Sequence, residues 1–144
     1  MLAVRRFSLL LVTPLLSACA GGTLLGFEIG DIGGLWTASA YEFVSNTTST
    51  DRVDIIDRDG AFFTLSVDDG VQPPVVGSTL DDGTGSRTNR SGTVDIKDGL
   101  ITLGEDSFAV IHDGNRMTLT NEDGVFDFGS GTVSVTVVIT LDRL

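Results

Sequence analysis

Six Asp-Gly pairs punctuate the chain, at Asp59-Gly60, Asp69-Gly70, Asp82-Gly83, Asp98-Gly99, Asp113-Gly114 and Asp123-Gly124. Asp and Gly both tolerate positive φ, which makes the pair a strong hairpin-turn signal. The intervals are 10, 13, 16, 15 and 10 residues, each room for one strand and one turn. Between the pairs lie β-rich runs at Val53–Ile56, Ala61–Val67, Thr93–Ile96, Ser107–Ile111 and Met117–Thr120. Beyond the first twenty residues no window holds a helical apolar stripe. The body of the chain is therefore expected to be all-β.

The last strand is the most legible. Val133, Val135, Val137, Ile139 and Leu141 share one face, and Thr132, Ser134, Thr136 and Thr140 the other, with only Val138 out of place. Strict period two places one face in a core and the other in water. Arg143 continues the inward face, an unusual place for a charge. The runs 34–44, 52–58, 61–68, 75–80, 86–97, 100–112, 115–121, 125–128 and 132–143 give eight or nine strands in sequence order. Antiparallel neighbours joined by tight turns close most simply into an up-and-down barrel. A two-sheet sandwich is the rival, and only 45–51 and 69–86 are long enough for its crossings.

The N-terminus reads as an address. Arg5 and Arg6 precede an apolar stretch from Phe7 to Leu16, too short to span a bilayer. Leu16-Ser17-Ala18-Cys19 then resembles a bacterial lipobox at all four positions, the alternative being an ordinary secretion signal. The resemblance implies removal of residues 1–18 and acylation of Cys19, the only Cys in the chain. Two or three acyl chains anchor stably where one holds only marginally. With Ala20 rather than Asp after the Cys, it further implies the periplasmic face of the outer membrane in a Gram-negative host. Residues 19–32 are the expected lipidated tether, with four glycines among the twelve residues 20–31, and residues 33–144 the domain.

Composition narrows the function classes. The chain holds 9 Lys+Arg against 20 Asp+Glu, and loss of Arg5 and Arg6 would leave 7 basic residues and a net charge of −13. Such a body repels nucleic acid and anionic lipid alike, so nucleic acid is excluded as a partner and the acyl chains carry the membrane contact. One Cys and one His exclude a disulfide framework and a Cys/His zinc site. The acidic runs Asp57–Gly60, Asp68–Gly70, Asp81–Gly85 and Glu122–Gly124 lack the ligand spacing of a calcium loop and read as turns. His112, beside a turn, reads as solvated. Gly83-Thr84-Gly85-Ser86 has no following helix to bind phosphate. No metal, cofactor or enzymatic site is expected.

Gly34-Leu35-Trp36 near the start of the domain and Arg143 at its end resemble lipocalins and small lipocalin-like barrels. In that family a Trp on the first strand packs beneath an Arg from the last. The segment from Ser91 to Thr120 is similar to the strand-turn pattern of bacterial lipocalin-like lipoproteins. The resemblance implies a Trp36–Arg143 pair at a closed end, and it explains the inward charge.

Two functions follow. The first is a binding module for a small apolar or amphiphilic ligand, lined by Phe43, Phe62 (or Phe63, as the alternation decides), Phe108 and Val135, with Val133 and Val137 adjacent. With few cations to clamp a carboxylate, its ligand would be neutral or cationic. The second is a structural or interaction protein, inhibitor-like, whose barrel is filled by its own side chains and whose acidic rim meets a protein partner. Interior volume discriminates them, since ligand pockets occupy about 300–1,000 Å³.

Overall fold

The structure is a computed structural model that describes residues 32–144. Cys19, the signal segment and all but Ile32 of the tether lie outside the described residues. From Gly34 onward the described residues form nine strands and one short helix: β1 (Gly34–Ser45), β2 (Arg52–Asp54), α1 (Ile55–Asp59), β3 (Phe62–Asp68), β4 (Val75–Asp81), β5 (Arg87–Asp95), β6 (Leu100–Leu103), β7 (Asp106–Asp113), β8 (Arg116–Asp127) and β9 (Thr132–Arg143). Neighbours pair antiparallel in the order β1-β3-β4-β5-β6-β7-β8-β9, and β9 pairs back onto β1. The result is a closed eight-stranded barrel with β2 as one extra strand on the second half of β1. It is compatible with a lipocalin-like fold.

Alternation builds the core. On β9, Val135, Val137, Ile139 and Leu141 are buried, and they meet Leu65, Ile101, Met117 and Leu119 from other strands inside the barrel. Thr64, Thr79, Thr102, Ser107, Thr118, Thr136 and Thr140 stand on the opposite, outer faces. Apolar inside and hydroxyl outside is the reverse of the arrangement that faces lipid in a membrane-spanning barrel. Among the described residues no helix is long and apolar enough to cross a membrane.

Three strand boundaries differ from the sequence expectation, each for a local reason. The run 52–58 is not one strand. Asp54 caps α1 by accepting from the Ile56 N–H at 2.9 Å, and Gly60 ends it in the left-handed region at φ 68°. Caps at both ends overrode the β-branched composition of Val53, Ile55 and Ile56. The run 100–112 is two strands, β6 and β7, turned at Gly104-Glu105, with Gly104 at φ 64°. A glycine with positive φ at the first central position suits a two-residue hairpin turn. Conversely, 115–121 and 125–128 are one strand, β8, with a bulge between Asn121 and Gly124. There Asn121 Oδ1 accepts the Asp123 N–H at 2.7 Å, so Asp123-Gly124 bends the strand instead of turning it.

Gly92 marks the tightest point in the wall. A Cβ built there would lie 1.5 Å from the Thr102 carbonyl oxygen on β6. Backbone on backbone leaves nothing to give way. Gly92→Val is expected to destabilise by at least about 3 kcal/mol, measured by urea denaturation, since overpacking costs about 1–3 kcal/mol even where side chains can shift.

Candidate functional site

The two ends of the barrel differ. At one end Trp36 is fully buried and its indole Nε1 donates to the Ile32 carbonyl at 2.9 Å. Trp36 and Arg143 are direct partners in the β1–β9 register. The Arg143 guanidinium lies 4.5 Å from the centre of the indole ring, and its Nη1 donates to the Gly33 carbonyl at 2.9 Å. The inward arginine thus closes the barrel floor, with its charge over a π face and a carbonyl at its edge. His112 meets the same indole edge-on at 5.7 Å, and its Nε2 donates to the Gly114 carbonyl at 2.7 Å. On the outer face of the wall beside the floor, Arg116 of β8 pairs with Asp142 of β9 at 2.9 Å in solvent. This end is a structural plug.

Trp36 is the only tryptophan, so its emission reports this end alone. Arg143→Ala is expected to destabilise the fold by about 1–3 kcal/mol, through lost stacking and stem packing, and to red-shift the Trp36 emission. Arg143→Lys should recover only part of both, because an ammonium cannot stack as a planar guanidinium does.

At the other end aromatic rings replace aliphatic side chains. Phe128, Phe126, Phe43, Tyr41 and Phe63 form a chain with successive centroid distances of 4.9, 4.3, 5.5 and 5.6 Å. The Arg58 guanidinium of α1 sits 5.7 Å from the Phe126 ring, drawing the helix over this end. Asp54 Oδ1 accepts from both the Tyr41 and Ile56 N–H groups, at 3.1 and 2.9 Å, tying α1 to β1. The turn after β4 packs on the other end of the helix, where Gly83 lies against the Asp59 carbonyl.

Beside the aromatic chain is a cavity of about 30 Å³ lined by Tyr41, Phe63, Ser78, Leu80, Thr88, Arg90, Leu103 and Phe108. That volume suits a water molecule or two, not an amphiphile. Burial is the main influence on Tyr41, pushing its phenol above the usual tyrosine range; Arg90 opposes the shift and Asp106 adds to it. Arg90 itself forms an ion pair with Asp106 at the cavity mouth.

The sequence-derived lining residues divide. Phe108, 5% exposed, borders this cavity. Val135 is fully buried and Phe43 half-buried; both belong to the interior cluster but not to the cavity wall. Phe62 points outward at 52% exposure, while Phe63, at 4%, takes the inward position that β3 alternation leaves to one of the pair. Tyr41, Ser78, Thr88 and Arg90 were not anticipated. Counting back by twos from buried Val94 would have found Thr88 and Arg90, because β5 turns those positions toward the interior.

The acidic clusters do not converge. Asp59 is held by Arg58 through bonds of 2.7 and 2.5 Å, and Asp82 accepts from Thr84 and Ser86 within its own turn. These hydrogen bonds are the leading reason both carboxyls sit below the usual range. Among the described residues no group of three or more His, Cys, Asp or Glu is placed to hold a metal ion. Compared with protein families and with curated sequences, the chain matches no family model and no curated protein.

Proposed function

We propose that this chain is a lipid-anchored interaction protein of the cell envelope, whose barrel is filled by its own side chains and whose surface meets a protein partner. The observation that carries the reading is the small size of the cavity beside the aromatic chain. A cavity of about 30 Å³ beside five packed aromatic rings leaves no room for a hydrocarbon chain. A ligand carrier would need roughly tenfold more. The surface supports the same reading: strongly acidic turns flank a wall that mixes hydroxyl side chains with exposed Leu35, Phe62, Ile111 and Val125, which suits a protein partner. The anchor rests on Leu16-Ser17-Ala18-Cys19.

Purified, lipid-free protein is expected to show no saturable rise in melting temperature with neutral lipids, cationic amphiphiles or fatty acids. Saturable stabilisation by any of them would return the ligand-carrier reading, with the interior opening on binding. The anchor is tested separately. In a bacterial host the full chain should incorporate labelled palmitate, and Cys19→Ala should abolish the label and release the protein from the membrane fraction. Equal labelling of the variant, or none in the parent, would remove the acylation.

A further inference from the structure

The barrel wall is incomplete at the aromatic end. β6 has only four residues, and β5 pairs with it from Gly92 to Asp95, leaving Arg87–Arg90 bonded to β4 alone. On the far side β8 pairs with β7 only up to Thr120, so Gly124–Asp127 is bonded to β9 alone. The short β6–β7 hairpin, turning at Gly104-Glu105, forms the floor between these two free edges. From β5 to β8 is three strand spacings, about 14 Å, so two strands are missing from the wall. Exposure agrees: Thr88 and Arg90 face the interior side of β5, yet both are exposed.

A matching opening between β1 and β3 is filled by the chain itself. β1 pairs with β3 only at Gly34–Thr37, and β2 with α1 occupies the space above. Nothing among the described residues does this for the β5–β8 gap. Free strand edges are templates for pairing.

We propose that the gap is a docking site for a β-hairpin of a basic partner protein, its two strands pairing with the free edges of β5 and β8. The sign follows from the charges around it. Arg87 and Arg90 are already paired, with Asp81 and Asp106. Glu105 in the floor turn and Glu122 and Asp123 in the β8 bulge are exposed and form no ion pair with the described residues. Lysines or arginines beside the incoming strands would meet these three carboxylates. A second copy of this chain is a poor occupant, because two strongly acidic bodies repel each other. The inference rests on the interaction reading and names its partner class and surface.

The test uses a cyclised hairpin peptide of alternating Thr and Val with lysines at its turn and ends. Two controls accompany it: one with Glu for Lys, and one with N-methylated edge amides that keeps the charge but loses the ladder donors. The lysine hairpin should bind and slow amide exchange at Arg87–Arg90 and Gly124–Asp127, read by NMR. Both controls, and a Glu105→Lys, Glu122→Lys, Asp123→Lys variant, should bind about tenfold more weakly, as expected for several modest pairs lost together. Absence of binding, equal binding of the N-methylated hairpin, or protection elsewhere would overturn the proposal. So would concentration-dependent dimerisation that protects the same amides. Binding at another surface would overturn the gap but leave the interaction reading standing, whereas saturable amphiphile stabilisation would remove that reading itself.

Discussion

Closure of the sheet depends on one pairing, β1 against β9, which runs from Trp36 opposite Arg143 to Ser45 opposite Val135. These two strands are far apart in the chain, so the pairing is also the contact of highest sequence separation and entropic cost. The register there is fixed twice. The period-two face of β9 must point inward, and the Arg143 guanidinium must reach the indole and the Gly33 carbonyl. A slip by one residue would turn Val133, Val135 and Val137 outward and lift the arginine off the ring. Near its middle β1 shifts register between Ala38 and Ala40, which lets one strand satisfy β9 along its length while changing partners from β3 to β2 on its other edge.

The sequence was most legible where one residue type had one physical role. The inward face of β9 could be read outright, because five alternating aliphatic residues fit nothing but a half-buried strand. Asp-Gly was less faithful. Two of the six pairs, at Asp82 and Asp98, lie in turns between consecutive strands, and a third ends β7 at Asp113 and begins its turn at Gly114. Asp59-Gly60 instead caps a helix, Asp69-Gly70 lies in the long connection to β4, and Asp123-Gly124 is part of a bulge. Of these six glycines only Gly60, Gly83, Gly99 and Gly114 take positive φ, so the pair reports a departure from extended structure but not which one. The turn at Gly104 is hard to read for the converse reason, since it lacks the aspartate.

The interior was harder to read, for a reason of geometry. Alternation says which residues point inward but not whether they meet. Arg90 and Thr88 lie on the inward side of β5 yet reach solvent, because the wall beside them is missing. No pattern within β5 could show that, since the cause is the shortness of β6 and the bend of β8. The aromatic chain from Phe128 to Phe63 is likewise assembled from three strands and the segment after β8, so no single strand's pattern could show it.

Ile32, at the start of the described chain, accepts the Trp36 indole bond, so the polypeptide enters the barrel at its plugged end. That detail sets a polarity for the whole body. With Cys19 acylated as proposed, the anchored segment joins the domain at the plugged end. The wall gap lies at the opposite end, one barrel length, about 30 Å, from that junction. Charge screening fades over roughly 8 Å at physiological ionic strength, so headgroups near that junction would exert little field at the gap. A basic partner would therefore be drawn by this protein's own carboxylates rather than by the membrane behind it.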